Sequence, residues 1–202
     1  KDIDLVRTSP NPLSQMIRMR QATAHTGILS STVSESVKFD RCLDILEECK
    51  DNKESVVIFS QWTSVTNLLV PFLITKGYKV SSITGETPDI DRQIIVDNFQ
   101  KGCYDVLVGT IGAMGTGLTL THAHTMIFLD HPWTYANYSQ AVDRCYRIGQ
   151  ENKVTVYNFI CRDTIDEKLW RLVKRKGKMS DLLIDATPEQ EDINELINDL
   201  LD

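Results

Sequence analysis

One eleven-residue segment, Gln-Ala-Val-Asp-Arg-Cys-Tyr-Arg-Ile-Gly-Gln, contains Gln140, Asp143, Arg144 and Arg147. Residues three and four apart share a face of a helix, so a helical segment would direct both guanidinium groups and the Gln140 amide at one ligand. Forked guanidinium donors match phosphate oxygens, and charge that develops on a γ-phosphate requires such donors. The segment therefore predicts a role in phosphoryl transfer, whereas an isolated pair of this spacing is more often a solvated surface pair.

A glycine-rich string, residues 112–117, follows a run of β-branched residues that ends at Thr110. The glycines Gly112, Gly115 and Gly117 allow close approach of a ligand and can present backbone N–H groups to an anion. Glycines after a strand more often form only a tight turn. Because the string precedes the arginine segment by a single predicted strand and helix, we expect the two to share a site.

Five short apolar runs alternate with helical segments, which predicts an α/β fold: a RecA-like parallel sheet with helices on both faces. The strands are predicted at residues 56–60, 79–84, 105–110, 125–130 and 154–160, and helices begin near Ser64, Pro88 and Ala136. Thr87 and Thr164 are predicted helix N-caps, and Gly77 and Gly102 are predicted to end helices. In open α/β sheets the working residues collect at the carboxyl ends of the strands.

The chain divides by pattern into three parts. Residues 1–37 contain a predicted helix at 13–24 and a Ser/Thr-rich linker that we expect to pack on the lobe. Residues 38–162 form the lobe itself, and residues 163–202 contain C-terminal helices and an acidic tail. Five basic residues near the C-terminus form either a phosphate-binding patch or a solvated helix face; they are Arg171, Lys174, Arg175, Lys176 and Lys178.

Composition restricts the class of protein. The 202 residues are 42% hydrophobic and 25% charged, which predicts one soluble domain, and the net charge of −6 has the wrong sign for binding DNA through the overall field. Any DNA contact should therefore be local. We expect no membrane association, because neither a long apolar run nor a signal pattern occurs. The protein is expected inside the cell, in the cytoplasm or nucleoid if prokaryotic or viral and in the nucleus if eukaryotic.

The five cysteines form an odd set without paired C-x-x-C spacing, which predicts reduced core thiols rather than disulfides or a zinc knuckle. His122, His124 and His131 lie close in sequence, but neither cysteines nor carboxylates complete a tetrahedral set near them. We therefore predict no metal site in this chain.

The arginine segment resembles helicase motif VI of the Swi/Snf family of superfamily-two DNA translocases. Other blocks are similar to the family in order and spacing: residues 56–62 to motif IV, 82–85 with Arg92 and Phe99 to the next block, 110–121 to motif V, and 130–134 to its aspartate and tryptophan segment. A lead-in at residues 17–25 and 36–38 is also similar. The resemblance covers residues 13 to 175, so it implies the C-terminal RecA-like lobe of such a motor.

The resemblance implies ATP-driven movement along double-stranded DNA, in chromatin remodelling or DNA repair. The implied catalytic residues are Arg144, Arg147 and Gln140, and the implied nucleotide-binding residues are Gly115, Gly117 and Asp143. DNA-binding roles fall to Ser60, Gln61, Thr84, Gly85, Thr110 and Trp133, which could hold the backbone without reading bases. Trp62 and Trp133 could equally pack in a core.

Two elements of an ATP site are absent from the sequence. It contains neither a G-x-x-x-x-G-K-[ST] phosphate loop nor a strand that ends in an Asp-Glu magnesium box. ATP and Mg²⁺ are therefore expected to bind mainly to a preceding N-terminal RecA-like lobe of the same protein, which we expect to be monomeric. The chain alone is expected to be inactive.

Two other functions fit parts of the pattern. A non-catalytic module could keep the fold and only bind DNA or protein, but such a module gains nothing from converging arginines. A Rossmann-type enzyme could use the glycine string, but the only acidic residue that closes a strand near the expected distance is Asp130.

Overall fold

The computed structural model describes residues 12–30, 32–33, 35–115, 117–150 and 152–180. These form two compact units. The larger unit comprises Ser36–Pro132 and Ala136–Phe159, and the smaller one contains the described residues before Ser36, the segment Trp133–Tyr135 and the residues from Ile160 onward. The division falls near the predicted boundaries at 37 and 162, but it groups both ends of the chain in one unit.

The larger unit contains a five-stranded sheet in which every pairing is parallel, and the strand order is β2-β3-β1-β4-β5. The strands are β1 (Ser55–Ser60), β2 (Val80–Ile83), β3 (Val106–Thr110), β4 (Ala123–Phe128) and β5 (Thr155–Asn158). All five predicted strands are present, and the central β1 is buried along its whole length. The α/β fold class predicted from the alternating pattern is confirmed.

Helices cover both faces of this sheet. Side chains alternate between faces along β1, and Val57 and Phe59 join a buried cluster with Phe99 and Ala141 on one face. The helices of that face are α4 (Asp89–Gln100), α5 (Ile111–Met114) and α6 (Tyr135–Val142). The helices α2 (Val37–Asp51) and α3 (Thr63–Thr75) pack against β1 with their own buried apolar residues.

The predicted helix ends are confirmed at both glycines. Gly77 and Gly102 adopt φ values of +83° and +73°, which favour glycine, just after α3 and α4 end. The N–H of Gly77 donates to the carbonyl of Ile74, and that of Gly102 to Phe99. Each glycine therefore closes its helix and turns the chain toward the next strand.

The two predicted N-caps have different outcomes. The Thr164 hydroxyl accepts a hydrogen bond from the N–H of Asp166 at 3.2 Å, as an N-cap should. The prediction for Thr87 is wrong, because the cap position of α4 is Pro88 and makes no side-chain cap bond. The Thr87 hydroxyl instead accepts from the N–H of Thr84 at 3.0 Å.

The smaller unit pairs two helices, α1 (Pro12–Ala24) and α7 (Ile165–Ser180), and contains a short 3-10 turn at Thr26–Ile28. The Thr23 hydroxyl donates to the carboxylate of Asp166 at 2.8 Å. Arg171, Lys174 and Arg175 are exposed on α7. The side chain of Lys178 and the predicted acidic tail lie outside the described residues.

The cysteines are all free thiols. Cys42, Cys49 and Cys145 are buried as predicted, whereas Cys103 is exposed. Burial raises the pKa of both Cys42 and Cys145 to about 12, so these thiols remain protonated packing groups. No helix in the described part of the chain is long and apolar enough to cross a membrane.

Candidate nucleotide and nucleic-acid site

The arginine segment is only partly helical. Helix α6 ends at Val142, so Arg144 and Arg147 lie in the following turn. The prediction from their spacing, that both arginines share one face of a helix, is therefore wrong. The N–H of Arg144 donates to the carbonyl of Ala141 at 3.2 Å, a tightened i→i−3 bond. We call residues 143–150 the arginine turn.

Long-range hydrogen bonds explain why the helix stops there. The carbonyl of Arg144 accepts from the N–H of Leu120 at 2.9 Å. The Gln150 amide donates to the carbonyls of Thr121 at 2.9 Å, Ala123 at 3.1 Å and Cys145 at 3.3 Å. The arginine turn is therefore bonded to the segment after the glycine string. Gln150 holds it there, although the sequence motif gave this residue no role.

The two arginines have different surroundings. The guanidinium of Arg147 donates from Nη1 to the Thr119 hydroxyl at 3.1 Å, and its side chain is exposed. Arg144 is half-buried, and its Nε donates to the carbonyl of Gln140 at 2.9 Å. Arg147 is thus joined to the segment after the glycine string, whereas Arg144 folds back on α6.

The residues beside Arg147 are apolar and exposed. Ile148 is 102% exposed and Tyr146 is 70% exposed, while Gly149 turns the chain with a φ of +102°. Gln140 and Asp143 are also exposed. The backbone bonds of the arginine turn therefore hold large apolar side chains away from the core.

The glycine string departs from the predicted anion cradle. The N–H of Gly115 donates to the carbonyl of Ile111 at 2.7 Å, so it is not available to a ligand. A Cβ at Gly115 would lie 2.5 Å from that oxygen, so the close packing leaves no room for a side chain at this position. Gly117 is different, because it is exposed, has a φ of +72° and has open space where a Cβ would stand.

Three predicted DNA-contact positions lie at the carboxyl edge of adjacent strands. Ser60 in β1 pairs with Thr110 in β3, and Ile83 in β2 pairs with Gly109, which places Thr84 beside Thr110. Both threonines are 8% exposed and Ser60 is fully buried. The sheet register therefore brings the three strand ends together, as the sequence predicted.

Asp130 organises the end of β1. Its carboxylate accepts from the Ser60 hydroxyl at 2.6 Å and from the N–H of Gln61 at 2.7 Å. The Ser60 oxygen in turn accepts from the N–H of Trp62 at 3.1 Å. We call Ser60, Gln61 and Asp130 the Asp130 cluster. Because the Ser60 hydroxyl is buried within it, this side chain holds the strand end in place and does not itself reach the surface.

A second structured turn, residues 84–87, follows β2. The N–H of Glu86 donates to the Thr84 hydroxyl at 3.3 Å, and the N–H of Thr87 to the Thr84 carbonyl at 3.1 Å. Arg92, in the first turns of α4, donates to carbonyl groups of this turn. Gly85 is exposed at its tip. We call residues 84–87 the Thr84 turn.

Trp133 belongs to the smaller unit. The guanidinium carbon of Arg20 lies 4.0 Å from the centre of its ring, a cation–π arrangement. Trp133 is 38% exposed. The ring is therefore neither a core residue nor a bare surface platform.

The histidines do not form a metal centre in the described residues, where no group of three or more His, Cys, Asp or Glu side chains is suited to a metal ion. Burial and the neighbouring His124 lower the pKa of His122. The His131 ring lies 3.1 Å from the Asn158 side-chain oxygen.

The family model described as "helicase conserved C-terminal domain" matches residues 37–149. The chromatin-remodeling ATPase INO80 of Mycosarcoma maydis is 35% identical over 157 residues, which are 77% of this chain but 8% of that protein. The putative ATP-dependent helicase/translocase YwqA of Bacillus subtilis is 33% identical over 181 residues, 86% of this chain and 20% of the relative. The chain thus spans a small part of these relatives.

Solved structures show the same architecture. The C-terminal part of the Fun30 ATPase domain is similar with a TM-score of 0.70 and 26% identity, over 90% of this chain and 62% of that one. The Sulfolobus solfataricus SWI2/SNF2 ATPase core, solved in complex with dsDNA, gives a TM-score of 0.71 over 90% of this chain and 40% of that one. At 24% identity the latter likeness establishes the fold alone. With its five-stranded parallel sheet and its matching motifs, the chain belongs to the helicase conserved C-terminal domain family, as a C-terminal RecA-like lobe of the Swi2/Snf2 type.

Proposed function

We propose that this lobe is the second motor lobe of an ATP-driven translocase that moves along double-stranded DNA. The observation that carries the proposal is the bond between Arg147 and Thr119. It holds an exposed guanidinium beside the segment that begins at Gly117. A hydrogen-bond donor suited to phosphate and an exposed glycine therefore belong to one surface. Lobe closure in response to nucleotide would then bring Arg147 to the phosphates.

The proposed roles follow the surroundings of each residue. Arg147 supplies the arginine finger, and Arg144 and Gln140 support it from the end of α6. Gly117 and Asp143 lie on the nucleotide side, while Gly115 shapes the loop through its packing against Ile111. Loss of an arginine finger lowers turnover by about 10³ to 10⁵ in enzymes of this type.

The proposed DNA surface uses the carboxyl edge of the sheet. Thr84, Gly85, Thr110 and Gln61 would contact the sugar–phosphate backbone, which gives affinity without sequence preference. Ser60 would act through the Asp130 cluster. Trp133, a residue of the smaller unit, is proposed to contact DNA independently of this edge. A local surface of this kind is compatible with the net charge of −6.

The described residues fit part of a nucleotide only. Guanidinium and N–H donors suit phosphate oxygens, but the described residues contain no cluster of three or more His, Cys, Asp or Glu side chains that could hold a metal ion. We therefore assign Mg²⁺ and most ATP contacts to a preceding RecA-like lobe of the same protein. ATP supplies the γ-phosphoryl group that is transferred to water, so that ATP binding would close the lobes and its hydrolysis would let them open.

The exposed apolar pair Tyr146 and Ile148 supports this division of labour. Two large apolar side chains this exposed beside the proposed finger are compatible with a surface that another body covers. A preceding lobe that holds ATP would have to approach Arg147 and would cover both side chains. We further propose an intracellular, monomeric protein that acts on DNA in chromatin remodelling or repair.

The decisive experiment measures ATP hydrolysis with and without duplex DNA, for this chain alone and for the full-length protein with its preceding lobe. We expect turnover only in the full-length protein, with strong stimulation by DNA. Turnover by this chain alone would reveal a complete nucleotide site within it and contradict the divided motor. Inactivity of both proteins would favour a non-catalytic module that binds DNA or protein.

A further inference from the structure

Arg92 makes an unusual set of contacts at the end of β2. Its Nε donates to the carbonyl of Thr87 at 2.8 Å, and its Nη2 lies 3.3 Å from the carbonyl of Thr84 and 3.5 Å from that of Gly85. A single guanidinium thus reaches three of the four carbonyl groups in the Thr84 turn. Its Nη1 also lies 3.3 Å from the carboxylate of Asp89, which is 94% exposed.

These contacts change the charge that the turn presents. Carbonyl oxygens carry partial negative charge and repel phosphate, whereas N–H groups and guanidinium attract it. The carbonyls of Thr84, Gly85 and Thr87 all lie within hydrogen-bonding distance of Arg92, so three acceptors of the turn are paired with a cation. The Arg92 side chain remains 24% exposed, so its positive charge stays close to the surface.

Gly85 supplies an independent observation. Its N–H makes no hydrogen bond in the described part of the chain, and Gly85 is exposed at the tip of the turn. No atom lies within 4 Å of the position that a Cβ would occupy, and Gly85 is not among the glycines with positive φ. Neither crowding nor backbone conformation within this lobe therefore requires glycine there. An unoccupied N–H without a side chain in front of it suits close approach by an anionic group from outside.

We propose that Arg92 is the positioning residue of a phosphate-binding turn, which holds the Thr84 turn so that the Gly85 N–H points at the DNA backbone. This inference rests on the proposed function, because it names the part of the lobe that grips DNA. Arg92 does not take part in ATP chemistry. It sets the affinity for duplex DNA by turning three carbonyl groups away from the phosphate.

The test compares Arg92→Gln with wild type in the full-length protein, with a mixed-sequence duplex as the probe. Glutamine can donate to only part of the carbonyl set and carries no charge. We expect the DNA concentration for half-maximal stimulation of ATP hydrolysis to rise roughly ten-fold, the scale of one charge-assisted hydrogen-bonding group. Turnover at saturating DNA should stay within about two-fold of wild type, since the positioning role does not involve the transition state.

Two substitutions separate positioning from other effects. Arg92→Lys keeps the charge but loses the fork, so it should recover only part of the DNA affinity. Gly85→Ala has room for its methyl group in the free lobe, so thermal stability should be unchanged while half-saturation by DNA rises. Loss of affinity in Gly85→Ala without loss of stability is a result that a merely structural role for the turn does not produce.

Matched controls exist in the same lobe. Arg41 forms an i,i+3 pair with Asp44 at 3.1 Å, the same spacing as Arg92 and Asp89. Arg41→Gln and Asp89→Asn should leave half-saturation by DNA unchanged. An equal loss in Arg41→Gln would mean that any surface arginine matters through net charge, and it would overturn the assignment to Arg92.

The failures of the two proposals are distinguishable. If the wild-type protein hydrolyses ATP with DNA stimulation but Arg92→Gln has the same half-saturation as wild type, this inference is wrong and the translocase proposal stands. If DNA does not stimulate the wild-type protein, the proposed function fails and this inference fails with it. Hydrogen exchange of the amides in residues 84–87 provides a second readout, and unchanged exchange in Arg92→Gln would also contradict the positioning role.

Discussion

The Asp130 cluster and the arginine turn use their polar groups in opposite ways. In the Asp130 cluster, the Ser60 hydroxyl and the Gln61 N–H both donate to one carboxylate, and Asp130 is 1% exposed. In the arginine turn, backbone groups and the Gln150 amide make internal bonds, while Tyr146 and Ile148 are exposed, and Arg147 is exposed although it donates to Thr119. One region satisfies its polar groups inside the lobe, and the other holds its side chains outward.

The difference separates residues that shape a site from residues that meet a ligand. A buried carboxylate after β4 that accepts two hydrogen bonds from the end of β1 fixes where these two strands end, and its loss leaves donors without partners. An exposed arginine on a turn closed by long-range bonds is already oriented before any ligand arrives, which lowers the cost of binding. Substitutions in the two regions should therefore fail differently: the first in stability, the second in turnover.

The largest expected effect is that of Arg147→Ala in the full-length protein. We expect DNA-stimulated turnover to fall by about 10³ or more, because the variant lacks the guanidinium proposed to stabilise charge on the γ-phosphate, while the lobe stays folded. Steady-state measurements of ATP hydrolysis check the loss of turnover. A separate ATP-binding measurement should show that the affinity for ATP is largely retained. Arg41→Ala is the matched exposed arginine, and normal turnover in Arg147→Ala would remove the finger assignment.

Local patterns predicted the parts of the fold that depend on local physics. Gly77 and Gly102 were predicted to end helices because a positive φ favours glycine, and the structure places both residues there. Thr164 was predicted as a cap and accepts the N–H of Asp166. The five strands followed from short apolar runs, since a parallel sheet buries both faces.

The errors arose where distant segments compete for the same groups. Helical spacing placed Arg144 and Arg147 on one face, but the carbonyl of Arg144 is bonded to Leu120 and the chain leaves the helix. Thr87 resembles a cap in sequence, yet its hydroxyl is taken by Thr84. These partners meet only once the fold has formed.

Asp130 shows that the direction of a side chain at a strand end is not predictable from the sequence. Its strand-end position was visible in the sequence, but its partner Ser60 lies 70 residues away. The sequence assigned Ser60 to DNA, and only the strand order reveals that its hydroxyl faces Asp130. A hydroxyl at a strand end predicts a polar site without indicating whether the hydroxyl points outward.

The next largest effect is expected in the Asp130 cluster. Asp130→Ala should lower the free energy of unfolding by about 2 to 3 kcal/mol, because the Ser60 hydroxyl and the Gln61 N–H lose a charged acceptor inside the lobe. Denaturant unfolding of wild type and variant measures the change. Asp89→Ala, in which the carboxylate is 94% exposed, should change stability by less than about 0.5 kcal/mol. Equal stability of Asp130→Ala and wild type would mean that the cluster does not shape the site.

The smallest expected effect concerns the arginine turn, at its uncharged residue Ile148. Ile148 is 102% exposed, so Ile148→Asp costs the isolated lobe nothing and should leave thermal stability unchanged. In the full-length protein the same carboxylate would be buried against the ATP-holding lobe at each closure, and we expect kcat/KM for ATP to fall by roughly ten-fold. Ile90→Asp is the control, because Ile90 is 78% exposed on α4 and should not face that lobe. If both variants lose activity equally, the arginine turn has no special place in closure. If Ile148→Asp alone loses activity with stability intact, then the side chains that the turn holds outward meet a second body.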